Sequence, residues 1–245
     1  MKHISTLVAV LITLLFIGCQ NDKKIENQEV TTTPEKALIS ELDTFYLGSK
    51  LVHVEKIKKS DFEAVAATTV IDTSETKNLL KDNALVKRVG DSLIIKTNAK
   101  DLVLLDDDND EDDADSFASY SYHGFLENAN QFLVLGTYYE AYDYLLIDRQ
   151  TGDITHLWGL PVVSPNGKHI IAGNTDLVAA FTPNGIQLFE NAPKPKLIAE
   201  RELQTWGPEE IKWMDNKTLL VKASVSDPNS ENLERPEYFK MKLPE

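Results

Sequence analysis

An all-β fold is what most of this 245-residue sequence predicts, and two observations carry the prediction. From about Val86 onward, short apolar runs rich in β-branched and aromatic residues alternate with turn residues, the pattern of antiparallel strands. Within that region a unit also repeats. Trp158-Gly159 and Trp206-Gly207 lie 48 positions apart, and each precedes a strand, a turn (Pro165-Asn166-Gly167-Lys168 or Asp215-Asn216-Lys217) and another apolar strand. A period of about 40–50 residues with four strands per unit is the mark of propeller blades.

The strands follow in order. Ser92–Lys96 and Leu102–Leu105 flank Thr97-Asn98-Ala99-Lys100 and read as a hairpin. Tyr120–Leu126 and Phe132–Tyr139 are joined by Asn128-Ala129-Asn130-Gln131, a looser copy of the repeat. Then come Tyr144–Ile147, Ile154–Trp158, His169–Ala172, Gly185–Phe189, Leu197–Ala199, Ile211–Trp213, Thr218–Ala223 and Tyr238–Leu243. About three four-stranded blades are legible, whereas a closed ring takes at least about four. Either Val86–Leu105 belongs to a fourth, incomplete blade, or the domain is an open stack of sheets.

Before Val86 the reading changes. Residues 1–18 form a signal peptide, with Lys2 as its charged start and an apolar run from Leu7 to Ile17 that is too short to span a bilayer. Cys19 is the only cysteine, so it has no partner within the chain for a disulfide. Residues 19–37 are polar and read as a flexible tether. Residues 38–85 form an N-terminal segment with two short helices, one opening at the capping-box sequence Ser60-Asp61-Phe62-Glu63 and one over Ser74–Lys81. Residues 86–245 are the β-rich domain.

Two stretches resemble known families. Leu15-Phe16-Ile17-Gly18-Cys19 resembles a bacterial lipobox, with Phe16 where Leu is usual, which implies that Cys19 becomes the acylated (palmitate-type) first residue of the mature lipoprotein. Two or three acyl chains anchor stably where one is marginal. Gln20 after the cysteine, in place of the Asp that resembles an inner-membrane retention signal, favours the outer membrane. Val163-Ser164-Pro165-Asn166-Gly167-Lys168-His169-Ile170-Ile171-Ala172 resembles the Ser-Pro-Asp-Gly-Lys hairpin of TolB-like propeller repeats, with Asn166 for Asp. Tyr144 to Asp153 is similar to a strand-turn-strand of such blades. The likeness covers about Tyr120 to Leu243 and implies an uncharacterised envelope lipoprotein with propeller-like repeats; it implies no activity, because blades serve unrelated functions.

Composition narrows the function classes. With 25 Lys and Arg against 39 Asp and Glu the net charge is −14, which speaks against nucleic acid as a partner. The partners expected are the membrane, through the N-terminal lipid, and an envelope protein or glycan. Asp106 to Asp115 holds eight acids in ten positions, and Asp106, Asp108, Asp110 and Asp112 offer the alternating oxygens of a calcium loop. No Gly stands at the sixth position, so the usual loop closure is missing, and a solvated, self-repelling loop is the alternative. No cofactor other than calcium suggests itself. No Gly-x-Ser-x-Gly elbow, zinc helix or phosphate loop occurs, and no catalytic residue is nominated. Six of the eight tyrosines fall between Tyr120 and Tyr144. Alternation puts Tyr120 with Tyr122, and Tyr142 with Tyr144, each pair on one strand face, as a binding surface or as packing between blades. A non-enzymatic binding or interaction module is therefore expected, with an envelope hydrolase and a calcium-dependent binder as alternatives.

Overall fold

The computed structural model describes residues 40–107 and 117–243. The described residues open with a hairpin, β1 (Thr44–Leu47) and β2 (Lys50–Lys56), turned at Gly48, whose φ of +61° suits glycine. Two short helices follow, α1 (Lys59–Glu63) and α2 (Glu75–Lys81). α1 starts one residue before the expected capping box, with the Lys58 N–H donating to the Asp61 carboxylate at 3.2 Å. Three strands then form sheet I: β3 (Val86–Val89), β4 (Ser92–Lys96) and β5 (Asp101–Leu105). Sheet II contains β6 (Ala118–Leu126), β7 (Gln131–Tyr138), β8 (Ala141–Asp148) and β9 (Ile154–Leu157) in meander order. Sheet III runs likewise from β10 (Pro161–Val163) through β11 (His169–Asn174) and β12 (Gly185–Glu190) to β13 (Lys196–Glu202). Sheet IV takes β14 (Trp206–Trp213), β15 (Thr218–Ser226) and β16 (Glu234–Lys242), and adds the N-terminal hairpin beyond β16 in the order β1-β2-β16-β15-β14.

The architecture is thus all-β, and among the described residues four antiparallel, blade-like sheets form no closed ring. The repeat-based expectation of about three blades is extended by sheet I. The segment at 38–85 holds the two expected short helices and also the hairpin β1–β2. β1 and β2 are strands of sheet IV, with His53 to Lys56 in register with Lys242 to Phe239, and Leu38–Glu245 is one compact unit. The pairing partner lies about 185 residues away, so local pattern gave no sign of it.

Three apolar clusters hold the sheets together. Val86, Leu93 and Ile95 of sheet I meet Phe132, Val134 and Leu145 of sheet II. Leu133, Leu146 and Leu157 of sheet II meet Val163, Ile170 and Phe189 of sheet III. Ile171 and Ile186 of sheet III meet Trp206, Trp213 and Val221 of sheet IV. Sheets II and III are therefore buried on both faces. This explains why Phe132–Leu135, Leu145–Ile147 and Ile170–Ala172 read as unbroken apolar runs and not as alternating ones: successive side chains serve different clusters. Sheet I is apolar within but exposes Val89, Val103 and Leu105 on its other face.

The repeat turns have a common chemistry. In the hairpin after β10, Asn166 Oδ1 accepts from Ser164 Oγ (2.8 Å) and from the Lys168 N–H (3.1 Å), while Gly167 takes φ +67°. After β14, Asp215 Oδ1 accepts from the Lys217 and Thr218 N–H groups at 2.7 and 2.8 Å. After β8, Asp148 Oδ1 accepts from the Gln150 and Thr151 N–H groups. Asn or Asp folding its own turn in this way is why these residues punctuate the repeat. The turns also touch one another: Asn166 N–H donates to Asn216 Oδ1, and Asn191 Nδ2 donates to the carbonyls of Asn128 and Gly167.

Truncating a side chain inside this stack is expected to cost far more than truncating one on its outer face. Leu146→Ala, at a fully buried site between sheets II and III, should lose about 2–5 kcal/mol in urea unfolding. Val103→Ala, on the exposed face of sheet I, should change stability by less than about 0.5 kcal/mol.

Candidate functional site

Between β2 and β3 the chain runs as a strap past all four sheets. Phe62 of α1 packs on the Tyr238 ring of sheet IV at 5.5 Å. Thr68 Oγ1 donates to the Val163 carbonyl (3.1 Å), and the Val163 N–H donates to Thr69 Oγ1 (3.0 Å), fixing the strap along the edge of sheet III. Ile71 packs into the cluster between sheets II and III, and α2 lies on β6. Arg88 of sheet I reaches back to Glu75 of α2 at 2.7 Å.

Under the strap lies a cleft of 430 Å³. Its walls come from strap residues Ala67, Thr69 and Ile71, from Tyr142 and Tyr144 on β8, and from the facing ends of sheets III and IV. Tyr142 and Tyr144 share one face of β8, with rings edge to face at 6.2 Å. Tyr142 Oη donates to Asn174 Oδ1 at 2.5 Å. Asn174 is itself fixed, its Nδ2 donating to Thr182 Oγ1 and to the Pro183 carbonyl. Behind it, Asp176 folds the loop to Thr182 by accepting from the Ala180, Phe181 and Thr182 N–H groups. Burial pushes the Asp176 pKa up, but those donors outweigh it and hold the carboxyl below the usual range. Burial raises the Tyr142 and Tyr144 phenols, so both rings are neutral hydrogen-bonding groups. Glu209 and Glu210 border the cleft, with Glu209 paired to Lys222 at 2.5 Å and Glu210 at 3.6 Å from Lys212.

Backbone proximity shapes the other wall. A Cβ built on Gly159 would stand 2.0 Å from the Gly173 carbonyl oxygen, and one on Gly207 would stand 2.1 Å from Asn184 Oδ1. The two Trp-Gly pairs of the repeat therefore carry glycine because the backbone there passes too close to its neighbour for a side chain. Trp206 is fully buried with Nε1 donating to the Glu41 carbonyl, whereas Trp158 is half-buried.

The tyrosines named from the sequence divide. Tyr142 and Tyr144 meet at the cleft. Tyr122 shares a face with Tyr120, but that face packs toward sheet I, where Tyr122 is fully buried and Tyr120 is half-buried. Tyr122 Oη donates to Asp82 at 2.8 Å, so this pair is packing between sheets. Asp106 points back into the fold, with Oδ2 on Arg88 at 2.9 Å and Oδ1 accepting from the Tyr120 N–H at 2.8 Å. Asp108, Asp110, Asp112 and Cys19 lie outside the described residues. Among the described residues no group of three or more His, Cys, Asp or Glu converges to hold a metal ion, and no helix is long and apolar enough to cross a membrane.

Three features were not legible in the sequence. Asn174 gave no signal, being one polar residue at a strand end. His156 Nδ1 pairs with Asp143 at 2.5 Å, and Tyr138 Oη donates to the same carboxylate at 3.0 Å. Asp143 alternates with Tyr142 and Tyr144, so this chain lies on the opposite face of sheet II from the cleft. His123, on the bulge of β6, is 7% exposed, packs on Tyr144 at 5.9 Å, and leaves Nδ1 without a hydrogen-bond partner. Comparison of the chain with family models, curated proteins and solved structures finds no match.

Two outcomes follow from this geometry. Tyr142→Phe removes one hydrogen bond while Asn174 keeps its other partners, so thermal unfolding should show a loss of about 1 kcal/mol. Burial holds the His123 imidazole below its ordinary value of 6.5, so the unfolded chain takes up this proton first as pH falls. The stability linked to neutral His123 is complete above pH 6.5 and is lost as pH falls toward and through the folded value. Urea midpoints at pH 7.5, 6.0 and 5.0 should fall less steeply for His123→Phe than for the native chain.

Proposed function

We propose that the protein is a lipid-anchored bacterial envelope protein that works as a non-enzymatic binding module, holding a ligand or a segment of an envelope partner in the cleft at Tyr142 and Tyr144. The observation that carries this reading is the cleft itself. Three sheets and the strap converge on it, and it is lined by two tyrosine rings and the fixed Asn174 amide around 430 Å³, a size suited to a small ligand or a few residues. The four sheets are read as blades of a propeller-like, TolB-like stack, in which the strap lies across the blades. The anchor rests on the Leu15–Cys19 sequence, with Cys19 acylated and Gln20 directing the chain to the outer membrane. Anchored through a polar tether of about eighteen residues, the module samples the space above the bilayer. Its net charge of −14 repels anionic headgroups, so the lipid supplies the attachment.

The test is crosslinking of the tagged protein in its native membranes, followed by recovery and identification of what is bound. Cys19→Ser should move the protein from the membrane to the soluble fraction. Tyr142→Ala should leave the protein in the membrane and folded while reducing the crosslinked partner about tenfold, the scale of losing one well-packed aromatic contact. A membrane-bound Cys19→Ser protein overturns the anchor. An unchanged crosslinking pattern with Tyr142→Ala overturns the cleft.

A further inference from the structure

Beside the cleft lies a second cavity of 220 Å³, and Ile71 of the strap lines both. The two are also joined by rings. Tyr142 packs on Tyr144 at 6.2 Å, and Tyr144 packs on His123 at 5.9 Å, so an aromatic ladder runs from the first cavity to the wall of the second.

The second cavity differs in charge. Lys77 and Lys81, one turn apart on α2, both line it. Lys77 is shared with Asp72 at 3.2 Å, while the Lys81 ammonium pairs with no carboxylate among the described residues. One positive charge is therefore left over, in a chain whose net charge is −14. His123 adds a buried imidazole whose Nδ1 has no hydrogen-bond partner, in a structure where most buried polar groups are satisfied. Gly124, at φ +109°, keeps the chain beside Asn78 without a Cβ that would stand 3.1 Å from Asn78 Oδ1.

At the cleft end, Thr175 Oγ1 is likewise buried and without a hydrogen-bond partner. An unmet hydroxyl beside two tyrosine rings matches a body that presents both C–H faces and hydroxyl groups. Cationic groups at the other end match a negative charge.

We infer that the ligand of the cleft is an acidic glycan, whose sugar rings lie along Tyr142 and Tyr144 and whose carboxylate is held at Lys81, Lys77 and His123. The inference rests on the reading of the cleft as a ligand site, and deepens it. Lys81 acts as the charged contact. His123 closes the apolar side of the subsite as a neutral donor, its tautomer set by the bound carboxylate.

The test is calorimetric titration of the full chain with three probes: trigalacturonate, the neutral maltotriose, and a triglutamate peptide. Trigalacturonate should bind at least about tenfold more tightly than either other probe, the scale of one charge-assisted hydrogen bond. Lys81→Gln, on an exposed helical position that folding does not need, should weaken trigalacturonate about tenfold and leave maltotriose unchanged. His123→Phe should do the same, with thermal unfolding confirming that it folds. Tyr142→Ala should weaken both sugars. Equal affinity for maltotriose, or no effect of Lys81→Gln, overturns the anionic subsite while leaving the cleft in place. Tighter binding of triglutamate overturns the glycan class. Absence of trigalacturonate binding overturns the inference outright, and the Tyr142→Ala crosslinking result separately decides whether the cleft reading falls with it.

Discussion

The pairing of β2 with β16 is the constraint on which the arrangement depends. By adding the N-terminal hairpin to the sheet that ends the chain, it brings residues far apart in sequence into one five-stranded sheet. The next structural decision follows mechanically. Residue 57 leaves sheet IV at one end of the stack, and Val86 must begin sheet I at the other. The intervening residues have to cross sheets III and II, and they do so as the strap. Its irregular middle is fixed by Thr68, Thr69 and Ile71, while its two short helices hold the ends on sheets IV and II. A cleft under the strap is the by-product of a linker that bridges sheets and does not pack as a further one.

Close backbone approach governs the opposite wall. Gly159 and Gly173 line the cleft, and neither has room for a Cβ: Gly159 lies against the Gly173 carbonyl and Gly173 against the Pro208 and Ile211 side chains. Polarity is then concentrated in a small number of positioned groups. Tyr142 is held by Asn174, Asn174 by the Thr182 loop, and that loop by Asp176, with each link a short, well-partnered hydrogen bond. Such a chain of support fixes a side chain more firmly than surface packing does, because moving Tyr142 would leave an amide oxygen without its donor. Two polar atoms lack this completion: His123 Nδ1 beside the second cavity and Thr175 Oγ1 at the cleft are buried without partners, at either end of the ring ladder.

Much of the sheet framework is readable from the chain because its causes are local. Continuous apolar runs mark the doubly buried strands of sheets II and III, and Asn166, Asp148 and Asp215 mark turns that they themselves fold. The short strands β1, β3 and β10 are too brief for periodicity to speak, and β2, with its mixed burial, shows no clean alternation. The tyrosine alternation correctly paired Tyr120 with Tyr122 and Tyr142 with Tyr144, because period two is a property of any strand. It carried no information about which neighbour each face would meet.

The sequence by itself determined the elements whose stabilising contacts are close along the chain: the antiparallel strands, the repeat turns and the short helices. Tertiary structure alone decided that the N-terminal hairpin completes sheet IV, that Tyr122 is interior while Tyr142 lines a cleft, and that His123 stands behind Tyr144. Those outcomes depend on contacts between residues dozens to nearly two hundred positions apart, such as His53 with Lys242 and Val163 with Thr69. No periodicity encodes such a contact, because its free energy appears only once every intervening sheet has already been placed.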